Sequence, residues 1–333
     1  MAKVQAPSGF NVGDAELERR ILAGLDSVEA ALADAVKSEN PLVSEVSHHL
    51  LDAGGKRFRP MVVLLAAQYG DPTSPGIIPA AVVVELTHLA TLYHDDVMDE
   101  APRRRGTESV NARWGNTIAI LAGDFLFARA SEILASLGSE AVQLQAQTFE
   151  RLCVGQIRET QGPLEGEGAI DHHLSVLADK TGSLISTAAK FGTSLSGADE
   201  ATVDALTAFG ERIGVAFQLA DDLVDITSES NESGKTPGTD LREGVATLPA
   251  LIVLGGDNPR DERLRELLSR PLTDDDEHAE ALKLLRDHEA VDLARAEAHR
   301  RADEARECLA GLPDVAATAA LRQLCDYAVA RTF

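Results

Sequence analysis

The stretch PAAVVVELTHLATLYHDDVMD, residues 79 to 99, decides how the rest of the chain is read. Over about four turns its apolar residues leave no polar face, and its proline sits where a first helical turn tolerates one. Such a helix is buried nearly all round, so the chain must build a large helical core about it. Yet it ends in three aspartates, Asp95, Asp96 and Asp99, in the pattern DDxxD. Outward from it, apolar residues recur at helical intervals with little strand-type alternation, and the chain reads as all-α. Helices are expected over residues 14–37, 58–69, 116–137, 139–160, 171–190, 199–226 and 245–254, with several pieces between 259 and 331. QGPLEGEG at 161–168 reads as a turn, and the long polar segment 228–244 as a loop able to act as a lid.

Composition narrows the function. The 333 residues exceed the roughly 150 of an average domain, though one large helical domain reaches this length. With 44% hydrophobic and 26% charged residues the chain can bury a substantial core. Its 31 basic residues against 54 acidic ones give a net charge of -23, which repels nucleic acid and anionic membrane surfaces. Cys153, Cys308 and Cys325 lack the spacing of a zinc site or a disulfide framework. The N-terminus shows no basic start followed by an apolar run, and no integral membrane segment is expected; the reading is cytoplasmic.

The DDxxD pattern recurs in AFQLADDLVDI as Asp221, Asp222 and Asp225. On a helix the first and last aspartates share a face and the middle one lies about 100° round, so each triplet offers several oxygens to one region. An acidic triplet is by default a solvated helix face, but both of these interrupt apolar sequence, where an unpaired carboxylate is costly. Magnesium suits such half-sites, because it accepts few carboxylates and completes its octahedron with water and phosphate oxygens. The implied ligand is a diphosphate. Basic residues close by fit that ligand: Arg103, Arg104 and Arg105 follow the first triplet, and GGKRFRP supplies Lys56, Arg57 and Arg59. Two basic clusters suggest two phosphorylated substrates.

In GGKRFRP, HDDVMDEAPRRRG, GDFLFARA, DKTGSLI, FQLADDLVDI, GKTPGTDLREG and TLPAL, in that order, the chain resembles the trans-isoprenyl diphosphate synthases of the polyprenyl synthetase family over about residues 40–331. The resemblance implies a single domain over 1–333, an antiparallel helix bundle with a deep central cavity, and a homodimer. It implies that Asp95, Asp96, Asp99, Asp221 and Asp225 carry about three Mg2+ ions, with Asp222 in the same cluster. Arg104, Lys180 and Lys235 would touch the allylic diphosphate (dimethylallyl, geranyl, farnesyl or geranylgeranyl). Isopentenyl diphosphate would be held by Lys56, Arg59, His88 and Arg105, with Arg57 in the same cluster, and Thr181 and Gln218 would face the reacting carbons. His94 is read as structural.

Product length should depend on the residues just before the first triplet. Short-chain members of the family often place aromatic residues four or five positions upstream; here stand Thr91 and Ala90, with Leu86 and Thr87 a turn deeper. These positions lie roughly 6 to 8 Å down the helix and beyond, and their small or aliphatic side chains point to an open wall and a product of about C30 to C50. Phe125 and Phe127 are candidates for an earlier floor, which would make a geranylgeranyl or farnesyl diphosphate synthase instead. A terpene cyclase fits less well, since both triplets are intact and GGKRFRP is present. The same completeness argues against a non-catalytic regulatory subunit. Where many family members carry lysine before TLP, this chain has Val245, with Arg242 as a possible replacement contact. Val245→Lys is expected to change the apparent affinity for the allylic substrate in steady-state kinetics; unchanged kinetics would reject that alignment.

Overall fold

The computed structural model describes residues 12–228 and 237–330. In chain order its helices are α1 (Ala15–Ala35), α2 (Pro41–Asp52), α3 (Phe58–Ala66), α4 (Ile77–Met98), α5 (Val110–Trp114), α6 (Asn116–Leu137), α7 (Ser139–Gln161) and α8 (Ala169–Leu177), then α9 (Ser183–Ser196), α10 (Glu200–Thr227), α11 (Thr239–Glu243), α12 (Leu248–Gly255), α13 (Glu262–Leu268), α14 (Asp275–Arg286), α15 (Glu289–Cys308) and α16 (Ala316–Val329). The fold is all-α, as the periodicity required. The only strands among the described residues are two-residue pieces, β1 (Arg103–Arg104) and β2 (Thr107–Glu108), paired antiparallel around Gly106.

Local chemistry explains most boundaries. Asp14 caps α1, its Oδ1 accepting from the amides of Glu16 at 3.1 Å and Leu17 at 2.7 Å, and Asn40 caps α2 the same way. The expected helix over 171–190 differs: α8 and α9 are joined through a π-helical turn at Ala178–Gly182. The expected helix at 245–254 is α12, the short α11 falls within the segment 228–244 expected as a loop, and α2 is an additional element.

The chain forms two compact units. The first comprises residues 1–150, 184–210 and 308–324; the second comprises 151–183, 211–307 and 325–333. In the first, α4 packs along α6 and against α1 and α3, and Val82, Val83, Val84, Leu86, Leu89 and Ala90 are all buried. By length and composition alone α4 would pass as a membrane span. Its burial within the unit accounts for that apolarity. The core of the second unit draws on Leu219, Leu223 and Ile226 of α10 and on α12–α15.

Close helix crossings in the first unit depend on glycine. A Cβ on Gly192 of α9 would collide with the Val63 carbonyl oxygen and lie 2.7 Å from Ala66 Cβ of α3. Gly192→Ala is therefore expected to lower unfolding free energy by about 1–3 kcal/mol, read from the denaturation midpoint at unchanged m-value.

Candidate active site

The first triplet occupies the last turn of α4. Asp99 is its C-cap residue, its amide donating to the Asp95 carbonyl at 2.8 Å. Asp99 is exposed and Asp95 half-buried, whereas Asp96 is fully buried. Arg104 on β1 donates through Nε to Asp96 Oδ1 at 2.6 Å, and Asp96 Oδ2 is buried with no hydrogen-bond partner among the described residues. Burial drives the Asp96 carboxyl above its ordinary pKa against the pull of Arg104. The sequence reading gave Asp96 to a metal and Arg104 to a diphosphate; here the two hold each other. Arg103 braces the hairpin, donating to the Gly106 carbonyl at 2.8 Å.

The basic cluster of GGKRFRP divides by burial. Arg57 spends all five of its donors inside the protein, on Glu29, Glu85 and the carbonyls of Gly54 and Leu51. The sequence reading placed Arg57 in the substrate cluster; here its side chain is 3% exposed and its donors all serve the scaffold. Arg59 differs, since its Nε is buried with no partner among the described residues. Burial lowers its pKa to about 10, with Glu85 opposing and Arg105 reinforcing the shift. Arg105 donates to the Leu50 carbonyl at 3.0 Å and to that of Gly54. Burial, then the charges of Arg59, Arg105, Arg104 and Arg57, hold His88 well below the ordinary histidine pKa, so it is neutral near pH 7. Lys56 is exposed.

Of the residues proposed as a length-setting wall, Thr91 is half-buried and shares the face of Asp95, while Leu86, Thr87 and Ala90 are fully buried. Leu86, nine positions before Asp95, points about 180° away from it. Thr87 is engaged, donating to the Val83 carbonyl at 2.9 Å and accepting from Gln145 at 2.8 Å. Phe125 and Phe127 are half-buried, the latter 4.4 Å from the Phe149 ring. His94 Nε2 lies 3.0 Å from the Ile120 carbonyl oxygen, where Gly123 leaves room for the ring.

In the second unit a polar chain runs through the other triplet. Thr181 donates to Gln218 Oε1 at 3.1 Å, and Gln218 Nε2 donates to Asp222 Oδ1 at 2.9 Å. Thr181 and Gln218 are thus brought together, and each is tied to the triplet. His173 Nε2 lies 3.9 Å from Asp222 Oδ2, a neighbour that no motif announced. Burial pushes the Asp222 carboxyl up to about 7, with Gln218 opposing and Asp221, Asp225 and Glu159 adding to the rise. Asp225 Oδ2 accepts from the Asp240 amide at 3.3 Å, so the chain beyond the 229–236 segment returns to the triplet. Lys180 projects from the π-helical turn and pairs with Glu159. That turn approaches α7 at Gly155, where a Cβ would lie 2.9 Å from Asp179 Cβ and 3.0 Å from Lys180 Cγ. Arg151 ties the turn to α10 by donating to Asp179 at 2.8 Å and to Glu211 at 2.7 Å. Arg242 pairs with Asp275 at 2.7 Å, and Val245 is exposed. Lys235 and the rest of residues 229–236 of the expected lid lie outside the described residues.

The profile of the polyprenyl synthetase family matches residues 40–285, and the chain belongs to that family. It is a transferase of the trans-prenyltransferase class. It is 48% identical to a nonaprenyl diphosphate synthase of Mycobacterium tuberculosis, the match spanning 97% of both chains. Its structure resembles a geranylgeranyl pyrophosphate synthase of Corynebacterium glutamicum, complexed with calcium and isoprenyl diphosphate, with TM-score 0.86 at 46% identity over 96% of this chain and 98% of that one. A decaprenyl diphosphate synthase of Rhodobacter capsulatus gives TM-score 0.86 at 33% identity over 96% and 99%.

Among the described residues no three His, Cys, Asp or Glu side chains form a ready-made metal cage. The donors fit a hard cation that takes one or two carboxylates and fills its remaining positions with water and phosphate.

His173 carries a pH signature. Burial, then the neighbouring His172, lowers its pKa to about 4. The unfolded chain therefore takes up the proton first, so the stabilisation is complete above the unfolded pKa of about 6.5 and is lost as pH falls towards 4. In chelator, His173→Gln should remove up to about 3 kcal/mol of the stability lost between pH 7 and pH 4, measured by denaturant titration; an unaltered pH slope would exclude the burial argument.

Proposed function

We propose that this chain condenses isopentenyl diphosphate head-to-tail with an allylic diphosphate, giving an all-trans polyprenyl diphosphate of about C30 to C50, the length inferred from small side chains within about 8 Å of the first triplet. The carrying observation is Ala90 and Thr91 ahead of Asp95, with no aromatic residue at either position. The full-length nonaprenyl relative supports the same reading. The Corynebacterium structure favours a second one, a geranylgeranyl product, at almost the same identity.

In this reading Asp95, Asp99, Asp221 and Asp225, with Asp96 and Asp222 behind them, would hold about three Mg2+ ions. When bound, magnesium supplies positive charge that makes diphosphate a better leaving group. Lys180 would exchange Glu159 for the allylic diphosphate, and Arg104 would add a second cation. The allylic carbon–oxygen bond breaks, the isopentenyl double bond forms the new carbon–carbon bond, and a proton leaves to restore an alkene. The departing diphosphate is available to accept that proton, so no protein nucleophile is needed. Neutral Thr181 and Gln218 oxygens would face the developing positive charge.

We also infer one catalytic domain, because the family match draws on residues of both units. We infer a homodimer from exposed apolar residues: Val142, Phe149 and Ile157 form a stripe on α7, and Ile120 and Leu121 are exposed on α6.

Chromatography of dephosphorylated products from labelled isopentenyl diphosphate, farnesyl diphosphate and Mg2+ should show chains of about C30 or longer, as the open-wall estimate requires. Products stopping at C20 would instead establish the second reading. Ala90→Phe should shorten whatever product the unmodified protein makes.

A further inference from the structure

One carboxylate lies among the basic residues of the first unit, and no motif assigns it a role. Glu85, the single acidic residue in the apolar part of α4, has a side chain 3% exposed. Its Oε1 accepts from Arg57 Nη1 at 3.0 Å and lies 4.0 Å from Arg105 Nη2, and its charge also reaches Arg59. Arg57 and Arg105 both have left-handed backbone, with φ of 47° and 51°. Non-glycine residues keep that conformation where the surroundings over-determine it. The surroundings do so here. A Cβ on Gly55 would lie 2.8 Å from Arg57 Nη1 and 3.1 Å from Arg105 Cζ, so bare loop backbone packs directly against both guanidiniums.

Three guanidiniums crowded into a buried site repel one another and splay unless a counter-charge fixes them. Arg57 is spent on scaffold contacts, whereas Arg59 Nε is buried with no partner among the described residues and Arg105 uses Nη1 on two carbonyls. Glu85 contacts the scaffold arginine directly and approaches Arg105, so it links the fixed part of the cluster to the part that can grip an anion. We propose that Glu85 is a positioning residue for the diphosphate of isopentenyl diphosphate, holding Arg105 and Arg59 at the separation that diphosphate oxygens require. The inference rests on the reading that Lys56, Arg59, His88 and Arg105 bind that substrate.

The alternative has the opposite sign. If Glu85 were only a diluting negative charge, removing it would strengthen anion binding. The test uses Glu85→Gln, which keeps the shape and an oxygen acceptor for Arg57 while removing the charge. Calorimetric titration of the full chain in chelator is done with two probes, isopentenyl diphosphate and inorganic pyrophosphate. The expected result is about ten-fold or greater weakening of both, the scale set by misaimed positioning contacts. In Mg2+ assays KM for isopentenyl diphosphate should rise by a similar factor, while kcat and KM for the allylic substrate stay within about two-fold. Binding by Glu85→Gln that equals or exceeds that of the unmodified protein overturns the proposal. If Glu85→Gln does not fold, Gly55→Ala presses on the same two guanidiniums from the exposed loop and should weaken both probes; unchanged binding there also overturns it. An unmodified protein that takes pyrophosphate but refuses isopentenyl diphosphate defeats the substrate reading alone, and the pyrophosphate comparison still decides the role of Glu85.

Discussion

Charge carried on a buried helix is the constraint around which the first unit is arranged. α4 is apolar enough that each carboxylate on it must be exposed or answered by a cation. Glu85 is answered by Arg57, and Asp96 by Arg104, while Asp95 and Asp99 sit where the helix leaves the core. The flanking chain follows from those pairings. Arg57 and Arg105 adopt left-handed backbone, and a two-residue hairpin turns at Gly106 to bring Arg104 back over Asp96. The geometry that would bind diphosphate is thus inherited from the need to neutralise buried charge.

The second unit meets the same constraint with neutral groups. Asp222 is buried, and the donor that reaches its Oδ1 is the amide of Gln218, itself fixed by Thr181. An amide lowers a carboxyl pKa less than a guanidinium does, which agrees with the high value, about 7, to which burial pushes Asp222. The π-helical turn places Thr181 at the head of this chain and Lys180 beside Glu159, and its close approach is permitted by glycine at 155. A residue longer than glycine there would move the turn and both side chains with it.

Much of this was legible in the sequence. The apolar run before Asp95 predicts a buried helix because no polar face interrupts it, and the boundaries at 116 and 137 match since Gly115 and Gly138 flank them. Both aspartate triplets and the basic motifs stand out because their chemistry has a strict spacing. The signals for Glu85, Glu29 and His173 were weak, as each is one polar residue without a pattern. The division of helix 171–190 by a π-turn was also hidden, because a single turn with i→i+5 bonding leaves helix on both sides and has no compositional signal of its own.

By itself, then, the sequence determined the fold class, the family and the two aspartate triplets, because periodicity and motif spacing are properties of the chain read in one dimension. Which charges are spent and which remain available was decided only by tertiary structure. Arg57 and Arg59 are two residues apart and alike in sequence, yet one has every donor satisfied and the other keeps a buried Nε with no partner among the described residues. That difference comes from Glu29 and Glu85, each 28 positions from Arg57 along the chain. Only folding brings them within hydrogen-bond reach, and burial then makes the pairing obligatory.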